Sequence, residues 1–288
     1  HDAFPEMHKW LARYPKKPHQ CKAALGGDAA ALDESTWSQG CSSVESLIIE
    51  QLLGMPVDAW LREVIDHDSL RHWAETTATG PARLLRSVIE SDESALGSCA
   101  VAALPELDNA TLAACLMGPE AASFIAQPHW GGEPHETSPL SRRAGSALIR
   151  ALRASHGNGL LTRLSAQILE VAQLMVALRQ PGPEDAALAS DADAPMPGVG
   201  MGLAEAARGR LVHLARLEND RVLDYRILAP TEWNFHARGP VAMGLAAMPD
   251  SEDARLRRRA ELLIMAIDPC VAYDLSLVSD TPRTCVPD

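Results

Sequence analysis

Apolar positions recur with helical spacing through the first two thirds of the chain. The longest run predicts a helix over about residues 160–179, with one continuous apolar face. A capping-box pattern at Ser42–Glu45 predicts that another helix begins there and stops at Gly54, which places Cys41 at a helix N-terminus. The same periodicity predicts shorter helices at about 57–66, 81–91, 110–117 and 140–155.

The pattern changes after the long helix. Residues 181–199 consist mainly of Pro, Asp, Ala and Gly without a period, which indicates a flexible connector. The segments 210–217 and 221–228 then alternate between apolar and polar positions. Because the three residues between these segments suit a turn, we predict a β-hairpin near 210–228.

The last predicted helix covers about residues 252–266. Pro269 cannot continue it, so Cys270 should lie just beyond the helix C-terminus. Together these patterns predict a mainly α protein, a helical bundle that forms one domain over residues 1–288 and carries a small β-hairpin element.

Composition and charge exclude several classes of function. The 288 residues are 47% apolar and 22% charged, and the formal net charge is −12, which is ordinary for a globular protein. No dense Lys/Arg cluster is available to follow a phosphate backbone, so we expect no nucleic-acid partner. Apolar runs are broken before the roughly 18–20 residues that a membrane span needs, so we expect a soluble protein without a membrane partner. Six scattered cysteines without a CxxC pair, and no secretory signal, favour a cytoplasmic location.

Cys41 and Cys270 have the clearest candidate chemistry. A thiol at a helix N-terminus is shifted toward the thiolate, the form that binds soft metal ions. Considered alone, each cysteine is more often an inert buried residue than a ligand. The glycine-rich stretch 198–202 follows a connector rather than a strand, which favours a turn over a phosphate-binding loop. His129 and His135 match no common zinc spacing and are interpreted as surface residues.

Several short motifs together resemble a known family. Glu205–His213, the predicted hairpin, Ala229–Asn234 and Asp268–Cys270 resemble, in order and spacing, the C-terminal half of nickel–iron hydrogenase large subunits, where the pattern is EAPRGxLxH, hairpin, PTTWN and DPCxxC. Upstream, Glu136–Arg142 is similar to the ExGPLAR motif of that family. Cys41 and the residues after it are similar to the stretch that begins at the second cysteine of the N-terminal CGxC motif.

The departures from the family are as informative as the matches. In the large subunit, four cysteines hold nickel and an iron that carries cyanide and carbon monoxide. Here Ser38 stands where the first N-terminal cysteine would be, and Tyr273 replaces the second C-terminal cysteine. Because two thiolates cannot complete a four-sulfur dinuclear site, hydrogenase activity is not expected. A cysteine-depleted relative of the large subunit resembles the HupK/HoxV group of hydrogenase accessory proteins, and the implied fold is the core of the large subunit.

The resemblance also implies roles for individual residues. Cys41 and Cys270 would be the metal ligands. Arg208, Thr231 and Pro230 match large-subunit residues beside the cyanides, and a guanidinium and a hydroxyl are suitable donors to cyanide nitrogen. The alternatives from the residues themselves stay open: Arg208 could pair with a nearby carboxylate, Glu205, at helical spacing. Thr231–Asn234 could be a turn that places Trp233 in the core.

The function implied by the resemblance is maturation rather than catalysis. Members of the HupK/HoxV group are taken to be scaffolds that hold the iron–cyanide–carbonyl fragment, Fe(CN)2CO, before it enters the large subunit. We therefore expect transient iron binding without nickel. The expected partners are the hydrogenase large subunit precursor and the Hyp-type maturation proteins, including the HypC/HypD complex and related small chaperones. Two other hypotheses remain: a metal-free mimic of the large subunit that docks the maturation proteins, and residual redox chemistry at a reduced metal site.

Overall fold

The computed structural model describes residues 34–179, 190–219, 221–249 and 251–278. Contacts along the chain divide it into two compact units. The first comprises residues His1–Ser91 and Gln167–Ala186, and the second comprises Asp92–Ala166 and Ala187–Asp288. The long helix Leu160–Arg179 therefore contributes residues to both units.

The first unit is helical where it is described. Helix α1 continues directly into a π-helical segment, Ile48–Leu53, which ends at Gly54 in the left-handed conformation, with φ of 68°. A Cβ at Gly54 would lie 2.5 Å from a Thr77 side-chain carbon, so both the conformation and the packing require glycine. The helices are α1 (Glu34–Leu47), α2 (Val57–Glu63), α3 (His67–Thr76), α4 (Gly80–Glu90) and the C-terminal part of α9 (Leu160–Arg179).

Two tryptophans anchor the core of this unit. Trp60 and Trp73 are buried and meet edge to face, with ring centroids 5.7 Å apart. The Trp73 indole donates a hydrogen bond of 2.8 Å to the carbonyl oxygen of Leu53, so the end of the π-helical segment is fixed to α3.

The prediction that a helix begins at Ser42 was wrong. Helix α1 begins at Glu34, so Cys41 lies in the helix interior. The hydroxyls of Ser42, Ser43 and Ser46 do not accept from backbone N–H groups as caps would. Each donates to the carbonyl oxygen four residues earlier, at 2.9–3.0 Å. Serines in a helix interior make this bond, and the sequence pattern alone does not separate the two uses.

The second unit combines helices with two sheets. Its helices are α5 (Asn109–Met117), α6 (Ala121–Ala126), α7 (Pro139–Arg143), α8 (Ala147–His156), the start of α9, α10 (Pro230–Asn234), α11 (Pro240–Ala246) and α12 (Asp253–Ile267). The single helix predicted over about 140–155 is thus divided into α7 and α8. The division occurs because the Ser146 side chain accepts a hydrogen bond from the Ile149 N–H and so caps a new helix.

The main sheet has four antiparallel strands in sequential order. These are β3 (Ser190–Met196), β4 (Val199–Ala206), β5 (Gly209–Glu218) and β6 (Arg221–Leu228). The strands β1 (Ala102–Ala103) and β2 (His135–Glu136) form a short parallel pair. The segments predicted as a hairpin are β5 and β6, which belong to this larger sheet. Residues 190–196 and Val199, which were assigned to the connector, are also strand, and residues 181–189 lie outside the described part of the chain.

One face of this sheet forms the core of the second unit. Inward-facing residues of β4 and β5, among them Met201 and Leu214, pack with Leu112 and Leu116 of α5 and with Trp233 of α10. The apolar–polar alternation of the strands therefore corresponds to an inner and an outer face.

Helix α9 is 20 residues long and apolar enough to meet a length-and-composition criterion for a membrane span, which the sequence analysis did not anticipate. Of its most apolar window, 67% is buried inside the structure, as in a core helix. Helix α12 ends at Ile267 as predicted, and Asp268 follows in the left-handed conformation.

Candidate functional site

Cys270 and Thr231 meet in the second unit. Cys270 is exposed, just beyond the end of α12, and Thr231 lies in the first turn of α10. The Thr231 hydroxyl oxygen is 3.0 Å from the Cys270 sulfur, and either group can be the donor. Pro230 is the buried first residue of α10 and fixes the backbone next to Thr231.

Arg208 contacts the same segment from the sheet. It lies in the turn between β4 and β5, and its Nε atom is 3.1 Å from the Oδ2 atom of Asp268, an ion-pair distance. The Nε atom is buried, and among the described residues its N–H is not aligned for a hydrogen bond, so its contact with Asp268 is an ion pair rather than a hydrogen bond. The alternative that Arg208 pairs with Glu205 is wrong, because Glu205 lies on β4 and binds Arg142 and Arg210 instead.

Thr137 joins three of the motif segments. Its backbone N–H donates to the Asn234 side-chain oxygen at 3.0 Å, and the Asn234 amide donates to its carbonyl oxygen at 2.8 Å. The Thr137 hydroxyl accepts from the Arg210 N–H at 2.8 Å. Gly209 passes so close that a Cβ there would lie 2.4 Å from the Thr137 carbonyl oxygen, and its φ is 135°. These contacts fix β2, β5 and α10 to one another.

A buried ion pair lies behind this junction. Arg163 and Glu136 are 1% and 3% exposed, and the guanidinium donates two hydrogen bonds to the carboxylate, at 3.1 and 2.8 Å. Arg163 also donates to the Gly97 carbonyl oxygen, and the Ser138 hydroxyl donates to Glu136. Burial acts to lower the pKa of Arg163, but the adjacent Glu136 carboxylate more than offsets this and raises it. Arg163 therefore stays charged.

Cys41 lies in the first unit and is chemically different from Cys270. It is 6% exposed, and its thiol lies 3.5 Å from the carbonyl oxygen of Leu178 in the last turn of α9. Burial, with a smaller effect from Glu45, raises the pKa of Cys41. The prediction of a thiolate at a helix N-terminus is therefore wrong for this residue, because the sulfur faces carbonyl groups at a helix C-terminus. Glu45 is itself held by Arg179, one of whose hydrogen bonds to it is 3.0 Å long.

The two positions that depart from the cysteine motifs are exposed. Ser38 lies on α1 three residues before Cys41, so the two share a helix face. Tyr273 is 46% exposed beyond Cys270. His129 is exposed as predicted, but the same prediction is wrong for His135, which is buried. The ring nitrogens of His135 contact the carbonyl oxygens of Ala103 and Trp130. Within the described ranges, no three His, Cys, Asp or Glu side chains converge as a metal site.

Sequence reasoning assigned no role to several residues that build this site. Asp268, Thr137 and Asn234 lie in the quoted motifs, but nothing local indicates their partners. Arg163 had a usable signal, because it is a single charge among the apolar residues at the start of α9, and Glu136 is its partner.

The comparisons with known proteins place this chain in a class. Residues 146–273 match the family model of nickel-dependent hydrogenases. Among solved structures, the H2-activated [NiFeSe]-hydrogenase of Dm. baculatum is similar with a TM-score of 0.56 and 17% identity, covering 85% of this chain and 61% of that chain. The fold is therefore that of a hydrogenase large subunit, as the motifs implied.

More similar sequences come from accessory proteins. HupK of Rhizobium leguminosarum bv. viciae is 37% identical over 54% of this chain and 42% of its own length. HupV of Azotobacter chroococcum mcd 1 is 30% identical over 83% of this chain and 65% of its own length. HoxV of Cupriavidus necator is 34% identical over 75% of this chain and 57% of its own length. All three are named hydrogenase expression/formation proteins. The chain is thus a homologue of the HupK/HupV/HoxV group of hydrogenase expression/formation proteins, and it spans about half the length of these relatives.

Proposed function

We propose that this protein is a maturation scaffold that binds the iron–cyanide–carbonyl fragment of the nickel–iron hydrogenase active site and delivers it to the large subunit precursor. The observation that carries the proposal is the pairing of Cys270 with Thr231 beside Arg208. An exposed thiol with a hydroxyl donor is a suitable soft ligand. The cargo brings its own cyanide and carbonyl ligands, so it needs fewer protein ligands than a bare metal ion.

The donor chemistry around Cys270 fits this cargo. A cyanide nitrogen is a hydrogen-bond acceptor, and leaving such an acceptor unpaired in a buried site costs about 1–3 kcal/mol. The buried Nε–H of Arg208 faces Asp268 at ion-pair distance but makes no aligned hydrogen bond among the described residues. Arg208 is therefore available to a cyanide, with Asp268 holding the guanidinium in place. Pro230 sets the backbone so that Thr231 remains beside the sulfur.

Cys41, in the first unit, is a further candidate ligand that rests on the motif resemblance. Its thiol is buried and contacts a backbone carbonyl, so binding iron requires loss of that contact and of the proton. A scaffold with one accessible and one protected thiol holds cargo less firmly than a four-cysteine site, which suits delivery. The proposal assigns no catalytic residue and no nickel, and it places the step in the cytoplasm with the Hyp-type proteins, including the HypC/HypD complex, as donors.

The experiment is infrared spectroscopy across the cyanide and carbonyl stretching region, with iron and nickel analysis of the same anaerobic sample. The protein is purified from cells that express the Hyp-type maturation proteins. Cys270→Ser and Cys41→Ser are compared with Cys115→Ser, a part-buried cysteine on α5 outside every motif. We expect cyanide and carbonyl bands with iron and without nickel in the wild type and Cys115→Ser, and their loss in the other two.

Thr231 allows a finer comparison within the same experiment. Thr231→Ser keeps the hydroxyl beside Cys270, whereas Thr231→Val keeps the shape and removes it. We expect iron retention in the first and reduced retention in the second. A wild type without bands or iron, alongside a large subunit precursor that carries both in the same cells, refutes the proposal.

A second function is favoured by one observation, the protected state of Cys41. The Cys41 thiol is buried and bonded to the carbonyl oxygen of Leu178, as expected of a mimic of the large subunit that binds no metal. Such a mimic would dock the maturation proteins without cargo. It predicts that a Cys41→Ser, Cys270→Ser variant still binds the HypC/HypD complex as the wild type does.

A further inference from the structure

Strand β6 is an edge strand with an apolar outer surface. In the part of the chain that the structure describes, it pairs with β5 on one side only. Tyr225 and Ile227 point to the outer face of the sheet and are 55% and 43% exposed. Leu223, 48% exposed, lies where the pairing of β6 with β5 shifts by one residue. A long edge strand with exposed apolar side chains is a template for pairing with another strand.

The sequence of β6 is complementary to itself. Two copies related by a twofold axis perpendicular to the sheet pair antiparallel, with the axis at one residue. Centred on Tyr225, the pairing sets Asp224 opposite Arg226 of the other copy, twice, and brings Ile227 close to the irregular position Leu223, twice. Opposite charges and apolar pairs directly across a strand pair stabilise it.

The neighbouring registers lack this match. Centring the axis on Asp224 sets two aspartates opposite each other, and centring it on Arg226 does the same for two arginines. Like charges directly opposite destabilise a strand pair. In the monomer, Asp224 and Arg226 already form an ion pair of 2.9 Å along the strand and are about equally exposed, 28% and 27%, so both are in place at the edge.

We propose that this protein forms a homodimer through antiparallel pairing of β6 with β6 of a second copy, centred on Tyr225, which joins the two sheets into one of eight strands. The occupant of the edge is a second copy because Asp224 and Arg226 face opposite charges only in this self-paired register. The contact is independent of the cargo site at Cys270.

The test is analytical ultracentrifugation of the full chain over about 1–100 µM, a range suited to a contact of modest area. We expect a concentration-dependent dimer in the wild type. Asp224→Arg and Arg226→Asp each set like charges across the interface and should raise the dimer dissociation constant about tenfold or more. The double variant restores opposite charges and should restore dimerisation.

A second pair of variants tests the dimer contact without changing Asp224 or Arg226. Ile227→Lys sets a lysine close to Leu223 and should weaken the dimer. Met196→Lys is the matched control, because Met196 is an apolar residue of similar exposure, 37%, on the opposite edge strand β3. Thermal unfolding of each variant checks that the fold is kept. The proposal is overturned if the wild type stays monomeric, even if a different protein covers the edge of β6. It is also overturned if the wild type dimerises but Ile227→Lys and the single charge reversals leave the dimer unchanged.

Discussion

The buried pair of Arg163 and Glu136 gives the most demanding prediction for stability. Replacing Arg163 by Met keeps most of the side-chain volume. Among the described residues, it leaves the Glu136 carboxylate, 3% exposed, with only the Ser138 hydroxyl as a side-chain donor. The Gly97 carbonyl oxygen loses its donor as well. Breaking a buried ion pair by removing one partner costs about 3–5 kcal/mol, mainly because the remaining charge is uncompensated. We expect Arg163→Met to lower the free energy of unfolding by that amount.

The double variant separates charge from packing. Glu136→Gln alone leaves a buried guanidinium beside a neutral amide and should also be strongly destabilising. Arg163→Met with Glu136→Gln removes both charges and keeps an acceptor for Ser138, so its cost should be smaller than the sum of the two single costs.

Urea unfolding is the assay, followed by hydrogen exchange in peptides from residues 92–166 so that the second unit is measured by itself. The reasoning is refuted if Arg163→Met changes the free energy of unfolding by less than about 1 kcal/mol. It is also refuted if the double variant costs as much as the two single variants added together.

Two further predictions concern the motif junction and the two cysteines. Asn234→Ala leaves the buried N–H and C=O of Thr137 without partners, at about 1–3 kcal/mol each, so the Thr137 amide should exchange with solvent at least about fivefold faster. Unchanged exchange would contradict the assigned contact. Iodoacetamide at about pH 8 should alkylate Cys270 faster than Cys41, as read by peptide-resolved mass spectrometry, because burial raises the pKa of Cys41 above its ordinary value of 9.0. The protonated Cys41 stabilises the fold below that value, and this contribution is lost as pH rises through the raised pKa. The difference between the alkylation rates of Cys270 and Cys41 should therefore become smaller at alkaline pH. Equal rates at the lower pH would refute it.

Local pattern was sufficient for the features that depend on neighbouring residues. The alternation of 210–217 and 221–228 predicted strands that the structure contains, because a sheet with one buried face requires a period of two. Pro269 predicted that Cys270 lies past the end of α12, because proline cannot continue a helix. The motif order predicted the fold of the hydrogenase large subunit, which the structural comparison confirms.

Tertiary structure decided what the side chains do. The serines after Cys41 form a capping pattern, but in the structure the helix begins earlier and they are interior residues. Their hydroxyls donate to the carbonyl oxygens four residues earlier. The same packing sets the Cys41 sulfur against a helix C-terminus and raises its pKa, which no local pattern shows. Arg208 lies in a turn between two strands and not on a helix, so it does not have the helical spacing to Glu205. It pairs with Asp268 instead. The sequence by itself determined the strands β5 and β6, the end of α12 and the family, since these follow from local periodicity, a proline and motif order. Only the tertiary structure decided the protonation and partners of the site residues, because those depend on groups that are distant along the chain.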